Sequence, residues 1–178
     1  MIGVDSPIGL ALVRELGGHG VPVFALGKGA GAIGGKSRFV HRFDVIPGPL
    51  AGWLPGYVAR HGIGAVMAVS EHHLIELAAL KDRLSPAKVL CPDAARLALV
   101  LDKQATLDIA ARLGMDVPAS WQPMAGEDRA ARLESLAYPV AVKWADPNAV
   151  SARLAAAGLP LEKVEYAADA AALSAILA

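Results

Sequence analysis

A single cysteine, Cys91, in 178 residues leaves no partner for a disulfide and no set of thiolates for a zinc site. Aromatic residues make up only 5% of the chain, with three each of Trp, Tyr and Phe. Neither charge sign is in excess. Seventeen basic residues meet seventeen acidic ones, which argues against a nucleic-acid surface or a polybasic membrane patch. No apolar run reaches the ~18 residues of a membrane span, and the N-terminus lacks a basic-then-apolar signal pattern. These absences together point to a reducing, cytoplasmic setting.

What is present is apolar and ordered: 54% hydrophobic against 19% charged residues, enough for a globular core. Strand-length apolar patches alternate with helix-length amphipathic segments. IGV (2–4) leads into PIGLALVRELGGHG, where Pro7 suits a first helical turn. VPVFAL (21–26) precedes a glycine-rich stretch, and FVHRFDVI (39–46) can hold a short strand before the helix GWLPGYVARHG. IGAVMAVS (63–70) reads as a strand buried on both faces of a parallel sheet. The helix EHHLIELAALKDRL, the strand KVLC (88–91) and the helix PDAARLALVL follow. The alternation predicts a doubly wound parallel α/β sheet through about residue 92.

Beyond it the rhythm changes. DKQATLDIAARLGM (102–115) reads as a helix with Leu107, Ile109 and Leu113 toward a core. EDRAARLESL is a second helix. YPVAVKWAD (138–146) is a strand with Val140 and Val142 on one face and Lys143 on the other. AVSARLAAAG, LEKVEY and AADAAALSAILA add helix, strand and helix. No Ser/Gly-rich linker separates the parts. Both ends look cut, since the first strand signal is short and the last helix has no cap, so the chain reads as a piece of a longer protein or as one missing a few residues at the front. Interrupted sheet edges make a homodimer an expected possibility.

Several segments carry candidate chemistry. In GVDSPIG (3–9), Gly3 and Gly9 fit a dinucleotide fingerprint with glycines three apart, but Ser6 stands where the middle glycine belongs, and Gly27-Lys28 supply no acidic residue after the second strand. A tight turn capped by Asp5 or Ser6 accounts for the pattern better than an NAD(P) site. The stretch GKGAGAIGGKSR (27–38) misses the phosphate-loop spacing by one residue and has no helix start at Ser37, so it reads as a flexible surface loop. His72 and His73 point about 100° apart on a helix and cannot readily share a metal; one is expected in solvent and the other packed. Ser70-Glu71 ends a buried strand, where open α/β sheets place ligands, although a helix cap explains it equally well. Lys103 opens a helix, where the dipole disfavours a cation. Lys143 sits between Val142 and Trp144 in a run that looks buried. A cation in either place invites an anion, with phosphate the obvious one.

Asp102-Lys103, Ala110 or Ala111, Gly114 and Val117-Pro118 match a segment of the form D-K-x-x-x…A-x-x-x-G-x-x-V-P. Tyr138-Pro139-Val140-Ala141-Val142-Lys143 match a strand of the form Y/F-P-V-x-x-K. On these motifs the chain resembles the ATP-grasp superfamily, closest to carboxylate–amine ligase-like members related to the carbamoyl-phosphate synthase large chain and to biotin carboxylase. The resemblance implies a Rossmann-like pre-ATP-grasp domain over 1–92, linker helices over 93–118, and over 119–178 the truncated start of an α+β ATP-grasp domain. It implies that Lys103 and Lys143 meet ATP phosphates, and that Asp5, Ser6, Ser70 and Glu71 line the substrate side. The implied cofactors are ATP and magnesium, with the magnesium ligands past Ala178, so the chain by itself is expected to be inactive. The implied partners are a small carboxylate and an amine. One departure stands out: WADPNAVSARLAAAG after Lys143 lacks the glycine-rich phosphate loop of many relatives. The alternatives are a standalone Rossmann-like binding module and an NAD(P)-binding domain.

Overall fold

The computed structural model describes residues 1–124 and 126–177. The chain is mixed α/β and divides into two compact units, residues 1–98 and 99–178. In the first unit, residues 1–4 lead to α1 (Pro7–Gly18), β1 (Val23–Gly27), β2 (Val40–Val45), α2 (Leu54–His61), β3 (Ala65–Val66), α3 (Glu71–Leu80) and β4 (Lys88–Val89). Helix α4 (Ala94–Leu101) runs across the boundary. β1 pairs with β2, and β3 with β4, both parallel. Ile2 joins the two pairs. It bridges Leu26 on one side and Ala68 on the other, both in parallel. Ile2 N donates to Met67 O (2.9 Å) and Leu26 N to Met1 O (2.8 Å). Five parallel segments therefore lie in the order β2, β1, residues 1–4, β3, β4.

Position in that order explains burial. Ile2 and Val4, in the middle, are fully buried. One cluster gathers Ile2, Leu26, Val66, Leu50, Leu54, Leu77 and Leu84; a second, around Val4, Val13, Val23 and Ala25, packs α1 against the sheet. The reading of 63–70 as buried on both faces needs correction. Ala65 is exposed and Met67 and Val69 are half-buried, while Val66 and Ala68 are buried. The alternation shows that one face of this strand is covered more completely than the other. On the β2 side, the Tyr57 hydroxyl donates to Asp44 Oδ2 (2.7 Å), tying α2 to the sheet. Arg42, and then Tyr57, hold the Asp44 carboxyl below its ordinary range.

The glycine-rich stretch also departs from expectation. It holds a 3-10 turn, Ile33–Lys36, with Ala32 and Gly34 buried. Gly34 N donates to Val4 O (2.8 Å), and a Cβ on Gly34 would lie 2.8 Å from Val4 Cβ. Composition alone marks such glycines as loop; here one of them lets backbone press onto the core.

The second unit contains α5 (Lys103–Arg112), α6 (Arg129–Ser135), β5 (Val140–Val142), α7 (Pro147–Ala156), β6 (Glu165–Ala167) and α8 (Ala170–Ile176). β5 and β6 pair antiparallel. Its fully buried apolar residues, among those described, are Ala167 and Leu173. Leu113 is 74% exposed, against the expectation of a core position, because it lies past the last turn of α5. Leu107 and Ile109 are half-buried.

Gly34→Ala is expected to lower unfolding stability by about 1–3 kcal/mol, the usual cost of overpacking a fitted site. Gly31→Ala, where an added Cβ meets nothing within 4 Å, is expected to change it little. Urea denaturation of both variants checks this; equal effects would contradict the pinned loop.

Candidate functional site

Parallel strands bring their carboxyl ends to one edge, so the residues that follow them become neighbours. Asp5 follows residues 1–4, Lys28 follows β1, and Ser70 follows the β3 segment. The Asp5 carboxylate accepts the Lys28 N–H with both oxygens (2.9 and 3.1 Å). Ser6 caps α1, its hydroxyl accepting from Gly9 N (3.1 Å). Gly9 is required for packing: a Cβ there would lie 2.6 Å from Gly3 O. The two glycines that suggested a dinucleotide fingerprint thus have steric roles: Gly9 seats α1 on the first segment, and at Gly3 (φ +89°) a Cβ would lie 2.9 Å from Val69 Cγ2.

Ser70 caps α3, accepting from His73 N at 3.4 Å. Its Oγ also lies 2.8 Å from His73 Nδ1. A hydroxyl that accepts from the backbone keeps its own proton to donate to that nitrogen. His73 is 5% exposed, whereas His72 faces solvent and pairs with Glu76 (2.8 Å). Burial lowers the His73 pKa, and His72 adds to the effect; the charges of Glu76, Lys28 and Asp5 also act on the ring. The result is a neutral imidazole joined to a hydroxyl at the sheet edge that also carries Asp5 and Lys28. Glu71 is exposed in the first turn of α3, where its charge suits the helix dipole. Sequence reading included Ser70 but left out His73 and Lys28. The register that aligns the strand ends was the missing information.

The two lysines lie in the second unit. Asp102 caps α5, accepting from Ala105 N (2.9 Å). Lys103 sends its amine back to the strand region, donating to Trp144 O (3.1 Å) and Ala145 O (3.3 Å). Those carbonyls directly follow Lys143. Positions 103 and 143, separated by forty residues, are therefore drawn to one exit from β5. Two of the ammonium's three N–H donors are engaged by neutral carbonyls, which leaves one donor and the full charge. Lys143 lies one residue past β5 and is exposed, and Trp144 is 40% exposed. Burial therefore does not by itself demand an anion at Lys143, contrary to the reading of a buried run. A two-stranded pair leaves its ends open to water. Gly114, with φ +77°, ends α5 in the left-handed region that favours glycine.

Among the described residues no group of three or more His, Cys, Asp or Glu side chains is arranged to hold a metal ion, and no helix is long and apolar enough to cross a membrane.

The displaced His73 pKa sets a stability window. Because the folded state takes up this proton less readily than the unfolded chain, stability is lost as pH falls below 6.5, the ordinary histidine value. The His73 resonances are expected to titrate with a midpoint below 6.5, and His73→Gln is expected to flatten the fall in urea midpoint as the pH drops below 6.5. A midpoint at or above 6.5 would contradict the buried neutral ring.

No protein-family model matches the chain, and no curated protein matches it, so a functional reading rests on the residues and their geometry.

Proposed function

We propose that the chain binds nucleotide phosphate through Lys103 and Lys143 as part of an ATP-grasp ligase that joins a carboxylate to an amine. The observation that carries this reading is the Lys103 amine resting on the carbonyls of Trp144 and Ala145. It brings to the same strand exit the two lysines that the sequence motifs single out. A polyphosphate taken up at this strand exit would supply acceptors for the N–H group that Lys103 leaves over and for the exposed Lys143 amine.

The strand order supports the same reading. With residues 1–4 in the middle, the five parallel segments run 3-2-1-4-5 in chain numbering, an order that favours a Rossmann-like reading, in which the sheet runs 3-2-1-4-5-6. In such sheets the ligand crevice opens between the first and fourth strands at their carboxyl ends. Here that edge carries Asp5, Ser6, Ser70 and Glu71, and a substrate carboxylate or amine would be taken there. A carboxylate is a poor acyl donor and its mixed anhydride with phosphate a far better one, which is the chemistry ATP supplies. The residues described offer a phosphate contact and a substrate edge. They offer no ligand cluster for magnesium, so the phosphoryl-transfer centre is not assigned to them.

Titrating Mg-ATP while following backbone amides tests the reading. Saturable shifts are expected at Lys103 and at residues 143–146, weakened about tenfold by Lys103→Met and lost in Lys143→Ala, in line with charge-assisted hydrogen bonds. Absence of shifts at these residues up to about 10 mM ATP, an affinity too weak to be specific, would reduce the motifs to structure.

A further inference from the structure

A cleft of about 510 Å³ in the first unit is lined by Arg14, Lys36, Ser37, Arg38 and Phe39. It lies on the flank of α1, at the amino end of β2, whereas the Asp5 and Ser70 edge lies at the carboxyl ends of the strands. Three of its five lining residues are cations and none is acidic. The first unit as a whole carries ten Lys and Arg against seven Asp and Glu, a surplus of three in a chain whose total is neutral. Among the described residues, Arg14, Lys36 and Arg38 have no ion-pair partner. Glu15, next to Arg14 in sequence, pairs instead with His19 (3.1 Å).

The cleft is held in shape from both ends. At one end Gly34 presses against Val4, as described above. At the other, Phe39 packs on α1 at Gly17, where a Cβ would lie 2.4 Å from Phe39 Cβ. Between these two fixed points the segment Lys36-Ser37-Arg38 is fixed along α1 beside Arg14. Ser37 is braced as well, its Oγ accepting from Phe39 N (3.3 Å), which leaves the hydroxyl proton to donate. The Arg38 guanidinium lies over the Phe39 ring, 4.9 Å from its centroid, a cation–π contact that favours its position at the cleft. A flexible loop would lose conformational entropy on gathering three like charges. Here the backbone has already been ordered by core packing.

We infer that this cleft binds a small phosphate-bearing anion. Two guanidinium groups and an ammonium, with a hydroxyl donor, suit the several oxygens of a phosphate or diphosphate ester better than the two oxygens of one carboxylate. The volume falls within the range of small-molecule sites. The cations form one compact cluster in a chain without net charge, whereas a nucleic-acid track repeats them along a groove. The inference is independent of the ATP-grasp reading, because it rests on different residues in the other unit.

Inorganic pyrophosphate is the probe. Titrated into the full chain, it is expected to shift the amides of Lys36, Ser37, Arg38 and Phe39 and the side-chain Nε signals of Arg14 and Arg38. Calorimetry is expected to give an affinity that falls about tenfold in Arg38→Gln and in Lys36→Gln, the effect of one charge-assisted contact, and that is unchanged in Arg60→Gln on α2. Raising the salt concentration should weaken binding in the same experiment. Shifts confined to residues 103 and 143–146 would overturn this inference while leaving the nucleotide reading intact. Equal losses in all three variants would also overturn it, since they would mark general charge attraction. So would tighter binding of a ~12-nucleotide RNA with affinity rising with length, because that would mark a nucleic-acid surface.

Discussion

The parallel pairing of Ile2 on both sides is the constraint from which the first unit follows. A strand in the centre of a sheet must give its N–H and C=O groups to both neighbours, and its side chains have no route to water. Gly3 N donates to Leu26 O (2.9 Å), and Val69 N donates back to Ile2 O (3.3 Å). These bonds fix the register of β1 and of the 65–69 segment against one short stretch of chain. Everything at the carboxyl edge inherits that register. Asp5 reaches the Lys28 amide, and His73 lies near Gly3, only because three strands end at the same level. The pinned glycine loop is a consequence too, since Gly34 hydrogen-bonds to the carbonyl of Val4 at the end of the same stretch.

The second unit is organised differently. Among its described residues few side chains are fully buried, and much of its order comes from caps and tethers. Asp102, Asp128 and Asp169 each cap a helix with a carboxylate. The Tyr138 hydroxyl donates to Leu133 O (2.7 Å), and the Lys103 amine spans from α5 to the exit of β5. Both carbonyls are neutral, so the tether leaves the charge of the exposed ammonium to water or to an anion. That charge, on the strand exit that also carries the exposed Lys143, is what motivates the proposed phosphate contact.

Local grammar was legible in the sequence and long-range register was not. Pro7 and Ser6 mark the start of α1, and Asp102 marks that of α5, because caps depend on residues only three positions apart. That His72 and His73 divide into one packed and one exposed ring follows from helical geometry, though not which is which. By contrast, apolar runs do not reveal how many neighbours a strand has. Lys143 looked buried for that reason, and Ala65 looked covered. The stretch at 27–38 looked like open loop because composition records the glycines without recording what they approach. The contact between Lys103 and residues 144–145 leaves no trace in periodicity; only the motif resemblance paired the two lysines. That His73 is the packed member of the pair, and that it is hydrogen-bonded to Ser70 at a shared edge, needed coordinates.

The central claim is that Lys103 and Lys143 lie within reach of nucleotide phosphates. An ATP acyl-phosphate reagent, which acylates amines that lie beside its phosphates, reports this directly through peptide mapping. The account predicts labelling of Lys103 and Lys143, suppressed by excess ATP, over the other lysines of the chain. Labelling spread over surface lysines without protection by ATP would contradict it.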